Sequence, residues 1–73
     1  MDERSKYSLA IEQISIDLER KYQVCKESWE KQVVYSQNIG FIDGLRHYGF
    51  ISIKDANELR RRNVLLFNDY IAR

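Results

Sequence analysis

Residues 7–33, YSLAIEQISIDLERKYQVCKESWEKQV, decide the fold class. Their apolar side chains fall at Tyr7, Ile11, Ile14, Leu18, Tyr22, Cys25, Trp29 and Val33. Steps of three and four follow the helical repeat, not the strand repeat of two. The spacing predicts helix from about residue 4 to residue 36, with one apolar stripe along it. The local chemistry leaves open whether this is one rod or two helices broken near residue 21, at Arg20-Lys21-Tyr22. Ile16 lies off the stripe, and so does Val34 at its edge, which hints at a second contact surface; Tyr35, also off the stripe, is a candidate for an exposed contact.

Outward from this stretch, proline is absent and the three glycines, Gly40, Gly44 and Gly49, cluster in ten residues. A second helix is expected over residues 38–48, with Phe41, Ile42 and Leu45 on one face. Gly49 suits its left-handed cap, because glycine takes positive φ without a Cβ clash. Ser52 and Asp55 then resemble a capping pair that opens a helix over residues 52–71. This last helix carries Val64, Leu65, Leu66 and Phe67 in succession, and four consecutive apolar residues cover the whole circumference of a helix. That end calls for burial on several sides, either in a thick core or against another chain. The expectation is an all-α domain spanning residues 1–73, three or four helices in a small bundle completed by oligomerisation.

Composition narrows the function. A chain of 73 residues buries only about 60% of the surface its unfolded form exposes, so its core is marginal. Disulfides, a metal or self-association are the usual supports. One cysteine and one histidine supply neither an internal disulfide nor a tetrahedral zinc site. No metal or cofactor is therefore expected, and self-association or a partner surface remains. Twelve basic against eleven acidic residues give a net charge of +1, unlike the strongly basic balance of most nucleic-acid binders. No window reaches the roughly eighteen apolar residues of a membrane span. The start, Met1 to Lys6, does not run into a signal-peptide core, so a cytoplasmic protein is expected.

Catalytic chemistry is hard to assemble from these residues. Asp43 and His47 sit four apart on one helix, and Cys25 is a conceivable nucleophile. Cys25 lies on the apolar stripe, however, where a thiol is ordinarily buried and inert. Arg60, Arg61 and Arg62 form the one concentrated charge feature. Three successive helical residues fan over about 200°, which favours a solvated face with local pairs from Glu58 to Arg61 or Arg62. The functional alternative is an arginine surface for an acidic partner or a phosphate backbone.

The run from Leu18 through Trp29, followed by Asn38 and Phe41, resembles the AraC negative regulator family, short proteins of enteric bacteria and their mobile elements. Leu18, Glu19, Arg20, Tyr22, Cys25, Trp29, Asn38 and Phe41 occupy the motif's places, over roughly residues 7 to 50. The chain departs from the pattern in lacking a glycine before the tyrosine, and in Tyr48-Gly49 for a phenylalanine-cysteine ending. The resemblance implies a regulator without enzymatic chemistry that binds an AraC-type transcriptional activator and hinders its dimerisation or DNA binding. Some members are also linked to the nucleoid-structuring protein H-NS. Leu18, Tyr22, Cys25, Trp29, Asn38 and Phe41 are then expected in the core. Ile16, Tyr35, Val64, Leu65, Leu66 and Phe67 are expected to face a partner or a second copy. A small DNA-binding protein and a purely structural oligomer are the alternatives. If Trp29 is core, Trp29→Ala should cost roughly 3–5 kcal/mol in stability, measured by urea unfolding.

Overall fold

The structure, a computed structural model, describes residues 3–72, with side chains from residue 10 onward. Tyr7, the first residue of the expected stripe, has its side chain outside the described residues. Three helices follow in order, α1 over Glu3–Gln23, α2 over Ser28–His47 and α3 over Ile53–Ile71. The chain is all-α, with no strand among the described residues.

One open choice is resolved and one expected boundary is corrected. Of one rod or two helices broken near residue 21, the chain takes the two helices, with α1 ending at Gln23 and α2 starting at Ser28. A new helix starts where the Glu30 carboxylate accepts the Glu27 backbone N–H at 3.1 Å, half of a capping box. No boundary exists at residues 36–38, so the helix expected to open at Asn38 begins ten residues earlier. Asn38 is instead a buried interior residue of α2. The last helix is where the Ser52–Asp55 pair places it, and the Ser52 hydroxyl accepts the Asp55 N–H at 3.0 Å.

Between α2 and α3 the chain turns at Gly49, whose φ is 79°. Phe50 N–H donates to the Leu45 carbonyl at 2.9 Å and Gly49 N–H donates to the Arg46 carbonyl at 3.1 Å. This is the paired hydrogen-bond pattern of a left-handed glycine cap. Ile51 then turns inward and is buried, whereas Phe50 stays in water.

Cross-helix pairs give the topology. Asp43 meets Arg60, Asn38 meets Asn63 and Lys31 meets Tyr70, so α2 descends as α3 ascends and the two are antiparallel. Glu19 with Arg62 and Tyr22 with Asn63 rise together, so α1 runs parallel to α3. Helix α3 is the middle element; α1 and α2 touch each other little. The result is a flat, elongated body of 41 × 22 × 15 Å.

Helix α3 can be central because its buried residues, Ala56, Leu59, Asn63, Leu66 and Tyr70, step by three and four along one seam. Against them pack Leu18 and Tyr22 from α1 and Ile42 from α2. The Tyr22 ring stacks on Tyr70 with centroids 5.9 Å apart, and Phe67 lies 4.9 Å from Tyr35. Those aromatics close one end of the core.

Within this apolar seam sits a polar junction. Asn63 Oδ1 accepts from the Tyr22 hydroxyl at 2.5 Å and from Asn38 Nδ2 at 3.0 Å. Its Nδ2 donates to the Tyr35 carbonyl at 3.2 Å. One carboxamide on α3 thus holds both α1 and α2. Asn63 is absent from any apolar pattern in the sequence, yet it falls on the seam midway between Leu59 and Leu66.

Two stability predictions follow from burial. Asn63→Ala strands the Tyr22 hydroxyl and the Asn38 amide in the core and should cost roughly 2–4 kcal/mol by urea unfolding. Trp29, expected in the core, is 65% exposed. The interhelix turn resets the helical phase after Gln23, and the seam of α2 runs through Tyr35, Asn38 and Ile42 instead. Trp29→Ala should therefore shift stability by less than about 0.5 kcal/mol. A loss of several kcal/mol would return Trp29 to the core.

Candidate functional site

The motif residues divide between the interior and the surface. Leu18, Tyr22 and Asn38 are buried, as expected of core positions. Cys25 is half-buried. Trp29 faces water, and Phe41 is 45% exposed, so for these two the core expectation is corrected. Phe41 lies under the Lys21 ammonium, 5.5 Å from the ring centroid, a cation–π contact at the open edge between α1 and α2.

The expected partner-facing residues divide as well. Ile16, Val64 and Leu65 are exposed, the last two at 40% and 55%. Leu66 is buried, and Tyr35 and Phe67 pack against the core. The apolar block in α3 therefore needs no burial all round. Leu66 sits on the seam, Phe67 flanks it, and Val64 and Leu65 point away. Leu66, Tyr35 and Phe67 are corrected from partner surface to core or its margin.

Two of the three arginines in the run serve the fold. Arg60 pairs with Asp43 of α2 and also donates to Asn57 at 3.3 Å. Arg62 reaches Glu19 of α1 at 3.9 Å, and the same carboxylate accepts the Tyr70 hydroxyl at 3.3 Å. The Asp43 and Glu19 partners belong to the other two helices, whereas the local-pair reading expected Glu58 on the same helix. Arg60 and Arg62 diverge because residues two apart on a helix point about 200° apart, so each reaches a different neighbour. At the far end, Lys31 Nζ donates to the Tyr70 carbonyl at 2.8 Å. That contact satisfies one of the orphan carbonyls of the last turn of α3.

Groups with catalytic potential are otherwise engaged. Cys25 Sγ donates to the Lys21 carbonyl at 3.1 Å. Burial, aided by the Glu30 carboxylate, pushes its thiol up from the ordinary value. The thiolate is thus disfavoured. Asp43 is held by Arg60 rather than by His47, whose ring meets Tyr48 edge-on at 5.2 Å. Among the described residues no three metal-ligating side chains converge, and no helix is long and apolar enough to cross a membrane.

A groove of about 1080 Å³ lies between α1, the 49–52 turn and the first half of α3. Ile11, Ile16, Phe50, Ile51 and Leu59 form its apolar lining. Sequence reasoning singled out Ile16 here but missed Phe50, because a residue just after a glycine cap normally packs back on its helix. The rim carries Glu12, Glu19, Asp55 and Glu58 with Lys54 and Arg62. Leu65, three residues beyond Arg62, continues the same helical face.

These features define a three-helix domain with a polar junction inside and an apolar, charge-rimmed groove outside. No family model, curated protein or solved structure matches the chain.

The junction carries a pH signature. Burial pushes the Tyr22 phenol up to about 12, an effect partly offset by the neighbouring Asn38 amide. In the unfolded chain it ionises near 10.0. Because the folded value is the higher one, this contribution to stability is whole below pH 10 and is lost as pH rises toward 12. The stability advantage of the wild type over Tyr22→Phe should therefore shrink across that window in urea unfolding. An advantage independent of pH would mean that Tyr22 ionises as easily folded as unfolded.

Proposed function

We propose that this protein is a non-enzymatic negative regulator of transcription that binds an AraC-type activator directly and hinders its dimerisation or DNA binding. The observation that supports this reading is the number of large apolar side chains the fold leaves in water. Trp29, Phe50, Leu65 and Ile16 are exposed although the core is small enough to need every apolar side chain it can recruit. Exposed aromatic and aliphatic residues that do not serve the core are the usual anchors of protein interfaces. Arg60 and Arg62, by contrast, are drawn into interhelical pairing, which weakens the case for a DNA-binding protein. The similarity of residues 18–41 to the AraC negative regulators supplies the class of partner, and H-NS as a second candidate. The setting is the cytoplasm, where such activators work.

Repression by this route is a population shift. The regulator stabilises the inactive activator only by its differential affinity for the inactive and active states. A firm apolar contact meets that requirement better than scattered surface charge.

In a gel-shift titration, the protein should release an AraC-type activator from its promoter fragment and leave the free DNA unshifted. Val64→Asp with Leu65→Asp, both on the exposed side of α3, should weaken the release roughly tenfold or more while the helical content stays unchanged. A shift of the DNA by this protein alone would replace the reading with that of a DNA binder. A stable oligomer that leaves every tested activator in place would favour a structural module.

A further inference from the structure

The groove between α1 and α3 has a shape and a charge that select its occupant. Its walls run from Ile11 to Glu19 on α1 and from Lys54 to Arg62 on α3. Nine residues of helix span about 12 Å from end to end, enough to meet side chains at positions i, i+3 or i+4, and i+7 of an incoming helix. Among its apolar lining residues, Ile51 and Leu59 are buried, while Ile16 and Phe50 stand exposed. Such a trough suits apolar side chains in a row rather than one compact ligand.

The rim decides the sign. Arg62 is matched by Glu19 across the groove. Of the remaining lining residues, Glu12, Asp55 and Glu58 are acidic and Lys54 is basic. An acidic helix laid here would meet like charges on both walls, whereas lysine or arginine flanks would meet carboxylates.

We propose that the α1–α3 groove binds an amphipathic helix of a partner protein, one that carries basic residues on both flanks of its apolar face. This rests on the reading of the chain as a protein-binding regulator and names the surface and the chemistry of its target. A second copy of the chain fits less well. It would offer Val64 and Leu65, but Arg60 and Arg62 are held by Asp43 and Glu19, which leaves Arg61 alone as a basic flank where the groove asks for one on each side.

The test uses the isotope-labelled full chain and a synthetic amphipathic peptide of about three turns, with leucines on one face and lysines on its flanks. A control peptide carries glutamates in place of the lysines. The lysine peptide should shift the amide resonances of Ile16, Phe50 and their neighbours, and the glutamate peptide should bind roughly tenfold more weakly. Glu12→Lys with Glu58→Lys, both at exposed positions, should weaken the lysine peptide by a similar factor and narrow its advantage. Phe50→Ser should weaken both peptides.

Equal binding of the two peptides, or shifts away from the groove, would overturn the proposal. So would sedimentation of the wild type as a dimer that Phe50→Ser dissociates, because the occupant would then be a second copy. The same variants in the activator gel shift separate this proposal from the reading beneath it. If Glu12→Lys with Glu58→Lys still releases the activator's DNA as the wild type does, the groove is not the docking site and the regulator stands. If the lysine peptide binds as expected and no activator responds, the groove stands and the regulator falls.

Discussion

The side-chain amide of Asn63 is the constraint around which the three helices are arranged. It accepts from Tyr22 of α1 and Asn38 of α2 and donates to a main-chain carbonyl of α2. Leucine at this position would still pack against its apolar neighbours, but would accept sliding or rotation of either helix. The carboxamide does not, because displacement along any axis leaves a desolvated donor or acceptor without a partner, and that is expensive in a low-dielectric core. Asn38 Oδ1 already lacks a partner, so the junction is not fully satisfied even in its best register. Polar residues at seam positions play this register-setting role in coiled coils, at some cost in stability.

The rest of the architecture follows from α3 holding the middle. A flat arrangement leaves α1 and α2 nearly independent of each other, and each depends on its seam with α3. Charge contacts at the margins reinforce the two seams separately: Arg60 with Asp43 on the α2 side, and Arg62 with Glu19 on the α1 side. Both pairs are partly exposed, so each contributes modestly. Their larger effect is on orientation, and they occupy two of the three arginines that would otherwise present a basic surface.

The same flatness explains why so much apolar surface remains open. A third helix in the middle can be covered on two sides, but its outer edge and the outer edges of its neighbours face water. Phe50 and Ile16 fall at one such edge, Leu65 continues it, and Trp29 lies on the solvent side of α2. This exposed edge, with the carboxylates beside Ile16 and Phe50, is the surface on which the proposed partner contact rests.

Helix content, the Ser52 cap, the Gly49 turn and the burial of Leu18 and Tyr22 were legible in the residues themselves. Each depends on local chemistry: side-chain spacing, a hydroxyl before an apolar run, or a residue free to take positive φ. A break near residue 21 was one of two open readings that local chemistry could not choose between, since nothing there forbids helix and the stripe continues in phase from Cys25 to Trp29. Folding back at that point lets α2 cover α3, a gain that exists only once the helices meet. The same tertiary choice carried Trp29 and Phe41 to the surface, split the Val64–Phe67 block between core and water, and sent Arg60 and Arg62 to partners on other helices. It also made Asn63 the centre of the core. By itself the sequence determined that the chain is helical and where its strongest caps lie. Only the packing of α1 and α2 on α3 decided which faces are inside, because helical periodicity records that a face is apolar and not what covers it.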